Sequence, residues 1–204
     1  MFAVIFEVNP RPERWEDYLA HAALLRPELQ AIDGFIANER FASRGRPGWL
    51  VSLSVWRDEK ALIRWRTHAL HHEIQGKGRS EVFADYHLRV GEIVADTQPG
   101  TSLTQQRFDA TEIGIAKAAT LTEGPIEALD DADFPQDRRL EVDRFDSITR
   151  PGNGLILCSW LDLAAAESGI SGVPGWHRVV RVIRDYGMFA RVEAPQYYPP
   201  IQTA

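Results

Sequence analysis

The densest group of residues that could perform chemistry lies between positions 65 and 72, which read WRTHALHH. A histidine can serve as a general base, and histidines four residues apart on a helix can bind a metal. At 100° per residue, Trp65, His68 and His72 fall on one face of a single predicted helix over residues 59–76. No acidic side chain shares that face, which disfavours a metal site. We expect surface or structural histidines, or a face that lines a cavity.

Two further polar residues are candidates for the same site. Asn38 lies on a predicted hairpin, and Tyr86 begins a predicted strand next to His87. Because successive side chains of a strand point to opposite faces, only one of Tyr86 and His87 can face the helices. The sequence has no glycine-rich phosphate loop, CxxC, HExxH or nucleophile elbow. The single cysteine, Cys158, is expected to be a buried apolar filler.

Residues 39–58 and 143–162 are two copies of one segment. At an offset of 104, nine of the twenty aligned positions are identical, where chance gives about one. The identical pairs are Arg40/Arg144, Phe41/Phe145, Ser43/Ser147, Arg46/Arg150, Pro47/Pro151, Gly48/Gly152, Leu53/Leu157, Trp56/Trp160 and Asp58/Asp162. Two copies indicate a duplicated domain, since a solenoid needs about three repeats. The repeated tryptophans are expected to be structural, and Arg40 and Arg144 to form hairpin salt bridges.

The pattern of each half predicts the order β-α-β-β-α-β, which is the ferredoxin-like unit. In the second half the first strand is predicted over residues 113–121, and both helices are reduced. A ferredoxin-like unit leaves one sheet face without helices, so that face needs a partner. We therefore predict an α+β fold in which two tandem units form one α+β barrel. The predicted segments are a first unit (1–95), a linker (96–111), a second, degenerate unit (112–193) and an extended arm (194–204).

Composition and charge exclude several classes of protein. The 204 residues carry a net charge of −6, and acidic and basic residues are interspersed, which disfavours a nucleic-acid surface. No stretch approaches the roughly 20 apolar residues that a membrane span requires, and the N-terminus does not resemble a signal peptide. We expect a cytoplasmic protein without nucleic-acid or membrane partners, and a further homodimer is compatible with the sequence.

Several stretches resemble the antibiotic biosynthesis monooxygenase (ABM) superfamily, most closely its small bacterial members. They are residues 35–41, 53–58, 65–79 and 83–90. The resemblance covers residues 2–95 well and residues 112–193 in degenerate form. It implies a dimeric α+β barrel in which two ferredoxin-like units pack together, which agrees with the order of elements derived above.

The resemblance also implies an activity. Members of the superfamily oxidise polycyclic aromatic substrates with O₂ and neither metal nor flavin, degrade haem, or isomerise lactones. We therefore expect a cofactor-independent monooxygenase for a hydrophobic, aromatic small molecule, with no metal or cofactor. That chemistry needs a base and hydrogen-bond donors for an oxyanion. We assign His68 or His72 as the base, and Trp65, Asn38 and Tyr86 as substrate-binding residues.

Two alternatives stay open. The degenerate second copy and the lack of a strong catalytic motif favour a non-catalytic barrel that binds a small molecule or acts as a scaffold. A haem-binding or haem-degrading protein is the other alternative, because Trp65 matches a tryptophan of the haem degraders. Their ligand histidine, however, falls where this chain has Ile74 and Gln75, and His72 lies about one turn too early.

Overall fold

The computed structural model describes residues 1–199 and 201, so residues 200 and 202–204 of the predicted arm lie outside the described part. The first half contains β1 (Phe2–Pro10), α1 (Trp15–Ala31), β2 (Phe35–Ser43), β3 (Leu50–Trp56), α2 (Glu59–Arg66), α3 (Ala69–Lys77) and β4 (Phe83–Asp96). The second half contains β5 (Ala118–Pro125), α4 (Ile126–Asp130), β6 (Arg139–Ser147), β7 (Asn153–Trp160), α5 (Leu163–Gly169) and β8 (Trp176–Gly187). Each half has the ferredoxin-like order.

The duplicated residues begin equivalent elements in the two halves. The Asp58 side chain accepts a hydrogen bond from the amide of Ala61 at the start of α2, and Asp162 accepts one from Ala165 at the start of α5, both at 2.8 Å. Each aspartate thereby satisfies one of the free amides of a helix N-terminus. The repeated glycine of each hairpin adopts a positive φ, which other residues rarely adopt. The duplication thus preserves the local signals that begin helices and turns.

The eight strands form one closed antiparallel barrel in the order β1-β3-β2-β6-β7-β5-β8-β4. The predicted α+β barrel of two tandem units is therefore confirmed. The halves do more than pack face to face, because they are joined by hydrogen-bonded strands. β4 pairs with β8 along most of its length, and β2 pairs with β6 over three residues at Phe41–Ser43. Apolar side chains of both halves fill the barrel interior.

Ion pairs related by the internal repeat connect the two halves. Arg46 contacts Glu7 of its own half at 2.6 Å and Asp143 of the other half at 2.7 Å. Its duplicate Arg150 contacts Glu123 of its own half at 3.0 Å, and its Nε donates to Glu39 of the first half at 2.8 Å. Since Glu39 and Asp143 are themselves equivalent positions, the contacts obey an approximate twofold symmetry.

The structure corrects three details of the sequence analysis. The single helix predicted over residues 59–76 is interrupted, because His68 is extended (φ −61°, ψ 129°) between α2 and α3. The strand predicted at residues 113–121 begins only at Ala118. The residues before it form a turn, in which the Lys117 ammonium donates to the carbonyl oxygens of Thr111 and Gly114, each at 2.7 Å. Arg144 forms no salt bridge within the described residues; it donates to the carbonyl groups of Leu129 and Ala132 beside α4.

The repeated tryptophans have the structural role that the duplication predicts. Trp56 and Trp160 are both fully buried, and each indole N–H donates to a neighbouring hydroxyl group at 3.0 Å.

None of the helices in the described part of the chain is long and apolar enough to cross a membrane.

Candidate active site

A cavity of about 220 Å³ lies between the helices of the first half and the outer face of its sheet. Strands β1 to β4 form its floor, and α1, α2 and α3 form its walls. Its apolar lining consists mainly of Val4, Phe6, Leu25, Leu29, Leu62, Ile63, Ile74, Phe83, Leu88 and Val90. A concave, largely apolar space with a few polar groups is the usual form of a small-molecule site.

Three of the five predicted site residues line this cavity. Trp65 comes from the end of α2, Asn38 from β2 and Tyr86 from β4. Tyr86 faces the helices, which answers the question left open between Tyr86 and His87. The other two predicted residues, His68 and His72, are not among the lining side chains.

The interruption of the helix accounts for where these two histidines lie. Because His68 is extended, the residues after it are rotated relative to α2 and no longer continue the face of Trp65. The His68 Nε2 lies 3.5 Å from a carboxylate oxygen of Glu28 on α1. His72 is exposed and stacks on Tyr198 at 5.5 Å between ring centroids. Neither is placed to contact a molecule in the cavity.

His71 lines the cavity instead, and so does His21 from α1. The His71 ring lies parallel to the Trp65 indole, 4.1 Å away. Its Nδ1 is 2.9 Å from the Trp65 carbonyl oxygen. A carbonyl oxygen can only accept, so Nδ1 carries the proton and Nε2 is the free acceptor. Burial lowers the pKa of His71 to about 4, which keeps the ring neutral near pH 7.

Asn38 presents an acceptor to the cavity. Its Nδ2 donates both hydrogens, to the Ser52 hydroxyl group at 3.1 Å and to the Leu53 carbonyl oxygen at 3.0 Å. The amide group therefore has a fixed orientation in which only its oxygen remains available. A ligand that meets Asn38 must bring a hydrogen-bond donor.

Tyr86 is at the centre of a cationic cluster. Its hydroxyl oxygen accepts hydrogen bonds from Nη1 of Arg79 and from Nη1 of Arg191, each at 2.6 Å. Arg79 is 5% exposed and also donates to the Met188 carbonyl oxygen at 3.1 Å. With both lone pairs occupied, the phenol proton of Tyr86 is left to donate to a ligand.

Six arginines line the cavity: Arg26, Arg40, Arg66, Arg79, Arg184 and Arg191. Among the described residues, no carboxylate lies within ion-pair distance of any of them. The acidic residue in the lining, Glu59, is already paired with Arg107 at 2.7 Å. Arg40 in addition has a buried Nε without a hydrogen-bond partner in the described part of the chain. Arg79 is buried, and Arg40, Arg66, Arg184 and Arg191 are half-buried. A partly buried positive charge without a carboxylate partner favours binding of an anion, so the charges of the cavity suit an anionic ligand.

The second half contributes to the site but does not repeat it. Arg184 and Tyr186 of β8 reach the cavity, as do Arg191, Gln196 and Tyr198 from the chain that follows β8. In the second half, the corresponding space is filled by a buried cluster around Leu129, Phe134, Cys158 and Trp160. The first half is therefore where the structure places a cavity.

Sequence reasoning missed His71 and the arginines. The expected hairpin salt bridge of Arg40 is wrong: this arginine lines the cavity and has no ion pair among the described residues. The duplication of Arg40 in Arg144 predicted the same structural role for both arginines. Only Arg144 has such a role, because it donates to backbone carbonyl groups. Arg79 lies in one of the stretches that resemble the ABM superfamily, whereas nothing local marks Arg191. In the described residues no three side chains of His, Cys, Asp or Glu come together as a metal site would require.

Comparisons with known proteins give the family. The model of the family "Antibiotic biosynthesis monooxygenase" matches residues 1–77. A protein of Pyricularia oryzae described as "Jasmonate monooxygenase ABM" is 43% identical over 219 aligned positions, which cover 98% of this chain and 99% of that protein. Two similar solved structures are a conserved protein from Methanosarcina mazei Go1 and Rv0793 from Mycobacterium tuberculosis.

The first of these structures is 19% identical, with a TM-score of 0.41, and the match covers 44% of this chain and 88% of the other. The second is 20% identical, with a TM-score of 0.44 and a coverage of 48% and 98%. The full-length relative shows the family, and the family model agrees with it over residues 1–77. This chain belongs to the antibiotic biosynthesis monooxygenase family and is an ABM-type monooxygenase.

Proposed function

We propose that this monooxygenase uses O₂ to oxidise a small apolar carboxylate of the jasmonate type, bound in the cavity of the first half. The observation that carries the proposal is the set of arginines in a largely apolar cavity, without carboxylate partners among the described residues. The jasmonate named for the relative is such a molecule, because it joins a hydrophobic cyclopentanone to one carboxylate.

The cluster around Tyr86 supports a specific place for the carboxylate. Arg79 and Arg191 share the Tyr86 oxygen at 2.6 Å, so two positive charges and one free phenol proton meet at one point. Charge-assisted hydrogen bonds to a carboxylate are worth about 1.5–3 kcal/mol each. We propose that the carboxylate binds here and that the apolar walls and Trp65 hold the ring.

The proposed reaction needs no external reductant. A carbon beside the ring ketone loses a proton and becomes an enolate, which gives its electrons to O₂. The overall change is C–H + O₂ → C–O–O–H, and a second hydrogen on the same carbon allows loss of water to leave C=O. Arg40, whose buried Nε has no partner among the described residues, is a suitable donor for the anionic oxygen.

The test compares jasmonate with its methyl ester, which keeps the apolar body and removes the charge. We expect O₂ uptake and an oxygenated product with jasmonate, and at least a tenfold lower kcat/KM with the ester. An anthrone, which is aromatic and lacks a carboxylate, represents the substrate expected from sequence. Equal rates with acid and ester would contradict the carboxylate proposal, and oxidation of the anthrone alone would favour the aromatic substrate.

Binding without turnover would favour the non-catalytic alternative. The protein would then bind jasmonate in calorimetry and consume no O₂ with any compound of the panel.

We also propose a cytoplasmic setting, which the single, buried and unpaired Cys158 supports. We propose that two chains can in addition form a homodimer, which light scattering tests. A measured mass of one chain (23.0 kDa) would contradict the dimer.

A further inference from the structure

We propose that His71 is the catalytic base, which takes a proton from the substrate through Nε2. The proposal rests on the proposed function, because it assumes a ketone-bearing substrate in the same cavity. It replaces the assignment of His68 or His72 with His71, the histidine between them that lines the cavity.

The backbone fixes the chemical state of His71. The hydrogen bond from Nδ1 to the Trp65 carbonyl oxygen, at 2.9 Å, selects the tautomer in which Nε2 has a free lone pair. Stacking on Trp65 at 4.1 Å, with the rings 15° apart, fixes the plane of the imidazole. Among the described residues Nε2 has no hydrogen-bond partner. A base needs this combination of a fixed ring, a free lone pair and a place in the lining.

The same surroundings explain how a weakly basic imidazole can take part. Burial lowers the pKa of His71 to about 4, so the ring is uncharged before the reaction. Proton transfer then creates an imidazolium beside an enolate, and the attraction within that pair offsets the cost of the buried charge. The C–H bond breaks, the Nε2–H bond forms, and the electron pair stays on the enolate. After O₂ adds to the carbon, the peroxide takes the proton back.

His21 is the competing candidate, because it also lines the cavity. It has no hydrogen bond within the described part of the chain that would fix its tautomer. His68 serves as a matched control, since it lies on the same stretch of chain, stacks on Trp65 at 5.9 Å and is not part of the lining.

The experiment measures proton abstraction separately from oxidation. Without O₂ and in D₂O, the wild-type protein is expected to accelerate deuterium exchange at the carbons beside the ketone of jasmonate, measured by NMR against buffer. His71→Asn keeps a donor for the Trp65 carbonyl oxygen and lacks a base. We expect it to lower both exchange and O₂ uptake by 10²–10⁴-fold while the Kd for jasmonate changes less than threefold. Added imidazole is expected to restore part of the activity of His71→Gly.

The outcomes separate the two proposals. Exchange that depends on His71, without any O₂ uptake, would support the base and overturn the proposed oxidation. Wild-type rates in His71→Asn, or a loss confined to His21→Asn, would overturn the base. Failure of the wild-type protein to accelerate exchange would overturn it as well. His68→Asn is expected to keep wild-type rates in both assays.

Discussion

Replacing Arg191 by Gln offers a quantitative test of the anion site, because the two guanidinium groups on Tyr86 repel each other. Each Nη1 lies 2.6 Å from the Tyr86 oxygen, so the two nitrogens are separated by at most 5.2 Å, twice that distance. At an effective dielectric constant of about 20, two unit charges at this separation repel by about 3 kcal/mol. The substitution removes that repulsion along with two hydrogen bonds of Arg191, to Tyr86 and to the Gln196 carbonyl oxygen.

Each of those hydrogen bonds contributes about 1 kcal/mol or somewhat more to stability. Gain and loss therefore nearly cancel, and we expect the free energy of unfolding of the ligand-free protein to change by less than about 1 kcal/mol. Binding should respond differently, because a carboxylate loses one charge-assisted hydrogen bond worth about 1.5–3 kcal/mol. The Kd for jasmonate should rise about 10- to 150-fold, whereas the Kd for its methyl ester should stay within a factor of three.

Urea denaturation and calorimetry provide the two measurements, and quenching of tryptophan fluorescence, to which Trp65 contributes, gives an independent Kd. Arg14→Gln is a suitable control, since Arg14 is exposed and forms a surface pair with Asp17 at 3.0 Å. The control should change neither the stability by more than about 0.5 kcal/mol nor any binding constant. An Arg191→Gln protein that is destabilised by more than 2 kcal/mol yet binds jasmonate normally would refute the anion site.

Three further predictions concern packing, thiol chemistry and pH. Gly169→Ala should destabilise the protein by about 1–3 kcal/mol in chemical denaturation, because the new Cβ would lie 2.3 Å from the Trp160 ring. Gly76→Ala is the control: its Cβ would lie 4.0 Å from the nearest neighbour, so this substitution should be neutral or stabilising. Burial raises the pKa of Cys158 to about 12, so a disulfide reagent should modify it only after unfolding. The pKa of His71 is lower in the folded protein (about 4) than in the unfolded chain (6.5), so its contribution to stability is fully present above pH 6.5. The free energy of unfolding should therefore fall as the pH drops from 6.5 to 4. It should fall less steeply in His71→Asn.

The fold could be predicted because its signals are local and repeated. The duplicated segment fixed two hairpins, and the capping aspartates Asp58 and Asp162 marked equivalent helices in both halves. One sheet face per unit had to be covered, so a barrel followed from the need to bury it. The pairing of β4 with β8 was not visible, since a strand edge carries no sequence mark for its partner.

The site could be predicted only in part, for two physical reasons. Helical periodicity placed His68 and His72 on the face of Trp65, and His68 does stack on that indole. The extended backbone at His68 changes the helical phase after it, so that His71 and not His72 stacks on Trp65 and lines the cavity. The cationic cluster depends on contacts between distant parts of the chain, such as that of Arg191 with Tyr86, 105 residues apart in sequence. No periodic pattern reports such contacts.

The filled second half determines the stoichiometry of binding. A barrel of two identical subunits would offer two equivalent sites, whose occupancies could influence each other. Here the cluster around Phe134 and Trp160 occupies the second position with the protein's own side chains. Titration of the proposed site should therefore saturate at one ligand per chain with a Hill coefficient of one. A substitution in the cavity changes that single site and leaves the buried cluster of the second half intact. The packing of that cluster then reports whether the variant is folded.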